Sequence, residues 1–433
     1  MKKKIFPFAV LAATLVSCSQ DELAPAQPNT ADNPNVISFV SATTRATVNN
    51  LDAMKSNTTG FTVYATGADA TGTWYTGVDG TNNYKATGGI WDWATNTSRP
   101  QWPTATETGK WPMKFYAYFP DGAGLAGFTP SITEASVIKA EIAVEQTIAG
   151  QTDFLAAKAE VSSKPTTGFL PLDFKHIMSK VGFKITQETT TETTIAQLGF
   201  EQIGRTRTYN YIDGNWEGAK PTANGSFQDY ITYTSPMTEK LGTGAAQAVR
   251  PDGDNHFFMF VPQAGGSTTA SEIPMWDGSG TAADGEITPN GAYIQMLYRT
   301  NESTGTPKKD ILGFAQRSSH GVETEWNAIA NQTEYDKYKK GGSYNEGLYL
   351  KVGFKLTSGT FNWEAGKGYT YNLLLNQAGG IYLSKYYYDK DGQNTKIPVA
   401  GGNVGPGDPV FGDDIMFTVT ETAWDDQADT NIQ

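Results

Sequence analysis

Short segments in which apolar and polar residues alternate recur along the chain, and turn residues separate them. In an early segment Phe61, Val63 and Ala65 share one face. A stronger segment, Met113–Phe119, is stopped by Pro120-Asp121-Gly122. A period of two predicts β-strands, and no regular helical periodicity lies between them. We therefore predict an all-β protein whose antiparallel sheets pack as sandwiches.

The strand-like segments continue to the C-terminal end and fall into two groups. The crossing between them falls between about 175 and 195, near a polar, threonine-rich stretch at 187–194, and we predict two β-sandwich domains, 36–178 and 179–433. Residues 301–346 are polar and form a predicted surface insertion, with modest helical character only at 326–340. The later candidate strands are 138–146, 153–160, 169–176, 179–186, 195–203, 257–261, 293–298, 348–356, 369–375 and 415–420.

Composition excludes several classes of function. The chain has 33 basic and 45 acidic residues, a net charge of −12, and no basic run, which excludes a nucleic-acid partner. One cysteine excludes an internal disulfide, and three widely separated histidines leave little for a zinc site. Aromatic residues make up 12 %, against intrinsic disorder. We predict neither a metal nor a cofactor.

The N-terminus has the pattern of an export signal. Three lysines precede an apolar stretch that is too short for a permanent membrane span, so residues 1–17 are predicted to be a signal peptide. The stretch ends in Leu15-Val16-Ser17-Cys18, which resembles the bacterial lipobox, and Cys18 is the predicted site of acylation, for example with palmitate. The alternative is a signal peptide with an incidental cysteine. Residues 18–35 then form a flexible tether.

A series of short blocks, none specific alone, runs through nearly the whole mature chain in a characteristic order. These blocks are Ile37-Ser38-Phe39, Thr43-Thr44-Arg45-Ala46-Thr47, Lys114–Pro120, Glu145-Gln146, Thr152–Ala156, Leu172–His176 with Ser179-Lys180-Val181, Trp363–Tyr371, Ile415–Val419 and Trp424. Together they resemble the fimbrillin family, the subunits of type V pili of Gram-negative gut and oral bacteria.

The resemblance implies two transthyretin-like β-sandwich domains and a lipoprotein precursor held at the outer membrane. In the family, an arginine-specific protease removes the segment that contains the first strand, and the C-terminal strand of the next subunit fills the exposed groove. The partners it implies are other pilus subunits, that protease, and a host or bacterial surface ligand. The stalk, tip or anchor position of the subunit stays open.

Each part of this scheme has a candidate segment here. The removable first strand is 36–45, with Ile37 and Phe39 on its apolar face, and cleavage is predicted between Arg45 and Ala46. The candidate donor strand is 415–424, with Ile415, Phe417 and Val419 on one face. The alternative is that this segment is only the last strand of its own sandwich, and the tail beyond Trp424 is too polar to fill a groove.

Other functions are weighed against the pilus subunit. A surface carbohydrate-binding lipoprotein would use Trp91, Trp93 and Trp102 to stack sugar rings, whereas packing over the end of the sandwich is the favoured explanation for these tryptophans. A secreted hydrolase is the other alternative, but the chain has no recognisable hydrolase motif, and no catalytic residue is predicted.

His176 is predicted to be structural. The acidic stretch 251–255 lacks EF-hand spacing and is predicted to be a plain turn, and Tyr386–Tyr388 an exposed edge or a subunit contact.

Overall fold

The structure is a computed structural model, and it describes the following parts of the chain. The described residues are 35–41, 60–68, 73–87, 90–93, 99–121, 125–134, 137–186, 191–233, 247–248, 257–266, 271–302, 349–374, 378–388, 392, 394–398, 413–414 and 418–423. Several predicted features lie outside these residues, namely Cys18, Arg45, Ala46, Ile415, Phe417, segment 251–255 and positions 303–346 of the predicted insertion.

The described residues form strands and two 3₁₀ turns, Thr108–Lys110 and Ile148–Gly150, with no α-helix among them. The first eleven strands are β1 (Ser38–Ser41), β2 (Phe61–Thr66), β3 (Asp79–Thr87), β4 (Ile90–Trp93), β5 (Met113–Phe119), β6 (Phe128–Glu134), β7 (Val137–Ala143), β8 (Leu155–Val161), β9 (Phe169–Leu172), β10 (Lys175–His176) and β11 (Ser179–Thr186). The prediction of an all-β fold is confirmed.

Eighteen further strands are described after β11. They are β12 (Thr191–Asn210), β13 (Asn215–Trp216), β14 (Thr222–Tyr233), β15 (Gln247–Ala248), β16 (Phe257–Phe260), β17 (Gln263–Ala264), β18 (Gly280–Ala283), β19 (Glu286–Pro289), β20 (Tyr293–Glu302), β21 (Leu350–Lys355), β22 (Asn362–Trp363), β23 (Lys367–Leu374), β24 (Ala378–Gly379), β25 (Ile381–Tyr382), β26 (Tyr386–Tyr388), β27 (Asn394–Pro398), β28 (Asp413–Asp414) and β29 (Thr418–Ala423). Residues 301 and 302 of the predicted insertion therefore belong to β20.

The N-terminal sheet has six antiparallel strands in the order β10-β8-β5-β2-β3-β4. Because side chains alternate along a strand, Val63 and Phe115 point to one face and Tyr64 and Tyr118 to the other. The first face, together with β1 and β9, encloses what we call the N-terminal core. Its members include Ile37, Phe39, Phe61, Val63, Tyr84, Trp93, Trp102, Phe115, Leu155, Leu170, Leu172 and Phe174.

The C-terminal part is built from two larger sheets. In one, β11 pairs in parallel with β23, and β29 pairs antiparallel with β23 at the edge. In the other, the twenty-residue β12 pairs with β20, β14 and β7. Both sheets contribute to a second cluster, the main core, where Phe260 stacks on Trp363 with ring centroids 4.8 Å apart. The family-like block around Trp363 and Tyr371 is thus buried inside this core.

The two cores lie on opposite faces of the N-terminal sheet. The hairpin β6–β7 precedes the predicted domain boundary at residue 178, but β7 pairs with β12 beyond it. Tyr64 and Tyr118 from the N-terminal sheet join Tyr209 and Tyr211 in the main core, with 5.3 Å between the ring centroids of Tyr118 and Tyr211. We call these four residues the tyrosine junction. The division of the chain into domains stays a prediction.

Candidate functional site: the groove of the N-terminal strand

The predicted removable strand lies between two segments of the same chain. On one side Val36 forms an antiparallel bridge with Gln101. On the other, β1 pairs in parallel with β9, so that Phe39 is opposite Leu170 and Ser41 is opposite Leu172. Residues 35–41 therefore fill a groove that the rest of the N-terminal part provides.

Main-chain groups in the first half of this segment are hydrogen-bonded to neighbouring segments. The Ile37 N–H donates to the Pro100 carbonyl at 2.8 Å, and the indole Nε1–H of Trp93 donates to the Ile37 carbonyl at 2.8 Å. At the start, the Trp102 N–H donates to the Asn35 carbonyl at 2.8 Å, and the Lys164 ammonium donates to Asn35 Oδ1 at 2.9 Å. Contacts to carbonyl and N–H groups hold a strand whatever its side chains are.

The side chain of Phe39 occupies an aromatic pocket and is 2 % exposed. Four rings surround it, those of Phe61, Tyr84, Trp93 and Phe115, at centroid distances of 6.1, 5.1, 5.7 and 5.9 Å. All four meet it at interplanar angles between 65° and 86°. This edge-to-face arrangement places the positive edge of one ring against the negative face of another, which aromatic pairs prefer.

Ile37, two residues earlier, is fully buried. Burying one large apolar side chain contributes about 1.5–3 kcal/mol, so Ile37 and Phe39 together stabilise the binding of this strand in its groove by several kcal/mol. Placing both residues on one buried face agrees with the alternation read from the sequence.

The candidate donor strand is only partly described. Its residues Thr418–Ala423 form β29, where Val419 is opposite Tyr371 of β23 in the same chain. This is the pairing that the alternative interpretation expects, because the segment completes its own sheet. Among the described strands, β29 is the outermost of that sheet, and the pairing of β11 with β23 does not involve it.

The tryptophans considered for sugar binding serve the core where they are described. Trp93 is 4 % exposed and packs on Phe39, while Trp102 is 3 % exposed and stacks on Trp111 with centroids 6.1 Å apart. A ring enclosed in this way has no free face to offer a sugar. His176 is buried as well, with its Nδ1 2.7 Å from Asp153 Oδ2, and it lies in the edge strand β10, opposite Leu155 of β8.

Metal and membrane sites were also sought. Across the described ranges, no group of three or more histidine, cysteine, aspartate or glutamate side chains is arranged to bind a metal ion. Within the same ranges, no helix combines the length and the apolar character needed to cross a bilayer.

Several residues of the groove were not singled out from the sequence as groove residues. Tyr84 and the 100–102 segment lie in stretches rich in polar and turn residues, which conceal their role. Leu170 was placed on a strand, but the parallel pairing of that strand with β1 joins residues about 130 positions apart. The Trp91-Asp92-Trp93 cluster was the one usable signal, since packing was the favoured explanation for it.

Comparison with known proteins gives a consistent picture. A family model described as fimbrillin-like matches residues 44–386. No match was found among curated proteins. A solved fimbrial protein from Bacteroides vulgatus is 13 % identical, with 90 % of this chain and 99 % of that chain covered and a TM-score of 0.52, which shows a shared fold.

Two further solved structures carry cell-adhesion names. The one from Bacteroides ovatus is 15 % identical, with 80 % of this chain and 94 % of that chain covered and a TM-score of 0.40. The one from Bacteroides uniformis is 13 % identical, with 86 % and 94 % covered and a TM-score of 0.37.

Proposed function

Because this chain belongs to the fimbrillin-like family, we propose that it is a structural subunit of an adhesive cell-surface pilus that polymerises by strand replacement. It is a structural protein rather than an enzyme. The observation that supports strand replacement is the way β1 is bound: Ile37 and Phe39 of this N-terminal segment are buried in the N-terminal core.

Removing β1 opens a site with defined chemistry. The carbonyl of Pro100, the indole N–H of Trp93 and one edge of β9 lose the hydrogen bonds that they make to this segment, and the pocket of Phe39 is exposed. Such a row of unpaired main-chain groups beside an apolar slot is a template for another strand. A strand from a second subunit restores both sets of contacts. Head-to-tail contacts of this kind do not close, so they generate a filament.

We place two covalent steps before assembly. Lipid on Cys18 holds the precursor at the outer membrane, with residues 19–35 as a tether. An arginine-specific protease then cleaves after Arg45, four residues beyond the end of β1 at Ser41, and thereby separates the strand from the subunit. The filament presents the subunits to a host or bacterial surface ligand.

Replacement of Arg45 tests the processing step. We expect the surface form of the wild type to begin at Ala46, and Arg45→Ala to accumulate as a lipidated, folded monomer without filaments. N-terminal sequencing and electron microscopy of sheared material measure the two results. Arg45→Lys is the matched control, because it keeps the charge but is not a substrate for an arginine-specific enzyme. Filaments of normal length from Arg45→Ala would refute this processing site.

Labelling tests the lipid anchor. We expect a fatty-acid analogue fed to cells to label the wild-type precursor and not Cys18→Ala, since Cys18 is the only cysteine in the chain. Equal incorporation into both proteins would rule out acylation at this residue.

A further inference from the structure

We propose that two copies of this chain pair antiparallel through their β18 strands, and that this contact joins neighbouring filaments side by side. β18 is one strand of the hairpin β18–β19, and among the described strands it pairs with β19 alone. The joining of filaments rests on the proposed function, whereas the pairing of two copies through β18 does not. The contact does not use the groove of β1.

Two residues of β18 direct their main-chain groups away from the hairpin. Gly280 is opposite Pro289, which has no N–H to share with it. Ala282 is opposite Ile287, whose N–H donates to the Leu383 carbonyl at 2.8 Å and not to β18. In an antiparallel ladder such pairs exchange no hydrogen bonds, so the N–H and C=O groups of Gly280 and Ala282 point outward.

β18 lacks the features by which proteins protect the edges of their sheets. Charged residues, proline and very short strands are the usual protection against pairing with another chain. β18 has the sequence Gly-Thr-Ala-Ala, without charge or proline, and all four residues are exposed. Four outermost strands of the larger described sheets do carry such residues, namely β4 (Asp92), β6 (Pro130 and Glu134), β10 (Lys175) and β29 (Glu421).

The hairpin presents this edge in a fixed geometry. The turn at its tip, Asp284-Gly285, has φ angles of 52° and 81°, as a two-residue hairpin turn requires. At its base, Gln202 Nε2 donates to the Pro289 carbonyl at 2.6 Å, and Ile287 packs against a buried cluster that includes Trp276. Because the strand is already ordered, pairing with another strand costs little additional conformational entropy.

The composition of β18 favours a second copy as its partner. Selection of a foreign peptide depends on pockets for its side chains, and a strand of glycine, threonine and alanine forms none. An antiparallel edge is its own complement, so a second copy can satisfy the same groups by two-fold symmetry. The register centred on Thr281 places Gly280 of each copy opposite Ala282 of the other. In this register all the outward main-chain groups of both β18 strands find partners.

The size and charge of the contact suit filaments better than free subunits. A contact of four residues per copy is far smaller than the roughly 1,200 Å² that stable complexes bury. Each chain also has a net charge of −12, so two copies repel each other, and salt weakens this repulsion. A single pair is therefore weak. In a filament the strand recurs once per subunit, so many weak contacts act together.

Disulfide trapping tests the pairing without requiring filaments. In the centred register the two Thr281 Cα atoms are about 4.5 Å apart, within the range that a disulfide spans. The two Ala283 residues lie about 13 Å apart along the strands. In the full chain with Cys18→Ser, we expect Thr281→Cys to form disulfide-linked dimers at least fivefold faster than Ala283→Cys, and faster at high salt than at low salt. Equal rates at positions 281 and 283, or a rate at 281 that falls with salt, overturn the proposal.

A proline in β18 tests the contact between filaments on cells. Because the N–H of Ala282 points away from β19, Ala282→Pro keeps the hydrogen bonds of the hairpin but removes one outward donor and obstructs an incoming strand. Ala282→Ser is the matched control, and thermal melting checks that both variants fold. By electron microscopy we expect bundled filaments for the wild type and Ala282→Ser, and single filaments for Ala282→Pro. Bundles of equal width in all three, or single filaments in the wild type, overturn the lateral contact.

The two experiments separate this inference from the proposed function. If cells that express the wild-type chain carry no filaments, the proposed function fails, while the disulfide rates still decide whether two copies pair through β18. If filaments form but Thr281→Cys links no faster than Ala283→Cys, the function stands and the β18 contact falls.

Discussion

Phe39 shows how a single residue can hold a terminal segment in place. Its ring contacts Phe61 of β2, Tyr84 of β3, Trp93 of β4 and Phe115 of β5, so one side chain touches four strands of the same sheet. The strand that carries it makes only a short ladder with β9. Side-chain burial therefore adds to pairing in the retention of β1.

Truncation of this residue should destabilise the precursor. We expect Phe39→Ala to lower the free energy of unfolding by about 3–5 kcal/mol, the range for deleting a buried aromatic ring. Denaturant unfolding followed by tryptophan fluorescence measures the loss, and Trp93 lies beside the site. Phe39→Leu, which keeps most of the volume, should lose less. An unfolding midpoint of Phe39→Ala equal to that of the wild type would show that the ring is not buried in the precursor.

At the scale of single residues, the sequence predicted the side chains that enter the groove but not the residues that receive them. Alternation placed Ile37 and Phe39 on one apolar face, because the period of side chains along a strand is fixed. The receiving residues were not predictable in the same way, since Tyr84, Pro100 and Leu170 come from distant segments and meet only through the sheet order. Local pattern states which face is apolar, but it does not state what that face will contact.

The two strands of the proposed exchange differ in how firmly each is held. β1 places Ile37 and Phe39 in the N-terminal core, and its removal leaves that core open. β29 covers the edge of a sheet whose central pairing, β11 with β23, does not depend on it. In the proposed exchange, β29 is the strand that moves, and proteolysis is the step that releases β1.

Two deletions separate the donor strand from the tail behind it. We expect removal of residues 415–433 to abolish polymers, and removal of 426–433 alone to leave them unchanged, because the tail is too polar to enter the groove. Electron microscopy of sheared filaments measures assembly. Each truncated monomer must first show a cooperative thermal transition. Loss of filaments with the shorter deletion, in a monomer that still melts cooperatively, would place the donor beyond residue 425.

The predicted strand boundaries agree best with the structure where apolar and polar residues alternate. The predicted strands at 179–186 and 293–298 correspond to β11 and to the first part of β20. The predicted strand 195–203 covers only part of β12. The prediction leaves out Thr191–Thr194 because these residues resemble a polar linker, yet they pair with the end of β20. Threonine is β-branched and suits a strand, but its polarity hides that preference from a hydrophobic pattern.

Over the whole molecule, the N-terminal sheet joins the two cores by contributing one face to each. The four side chains of the tyrosine junction lie where the second face of this sheet meets β12 and the β6–β7 hairpin. Burial raises the pKa of Tyr209 to about 12, and it raises the pKa values of Tyr64 and Tyr211 as well. A sheet shared in this way connects the groove of β1 with the main core.

The raised pKa values predict how stability depends on pH. A tyrosine in the unfolded chain ionises near pH 10, whereas the buried residues stay neutral to higher pH. The stabilisation is therefore fully present below about pH 10 and is lost as the pH rises through the folded-state values. Each such tyrosine weakens folding by up to about 1.4 kcal/mol per pH unit in that window.

Two buried tyrosines allow a matched test of this junction. The hydroxyl of Tyr211 has no hydrogen-bond partner among the described residues, whereas that of Tyr371 accepts from Trp363 Nε1 at 3.1 Å and donates to the Thr360 carbonyl at 2.5 Å. At pH 7 we expect Tyr211→Phe to keep or slightly raise the free energy of unfolding, and Tyr371→Phe to lower it by about 1–3 kcal/mol, because a buried donor loses its partner.

Above pH 10, Tyr211→Phe should lose stability less steeply than the wild type, because one ionising group is gone from the junction. Urea unfolding at pH 7, 10 and 11 measures all three proteins under the same conditions. The shared-sheet interpretation requires that the alkaline loss appears in one cooperative transition, since the sheet that loses its packing at the junction also covers the N-terminal core. A marked loss of stability in Tyr211→Phe at pH 7, or a wild-type stability that is flat from pH 10 to 11, would contradict the burial of these hydroxyls at the junction.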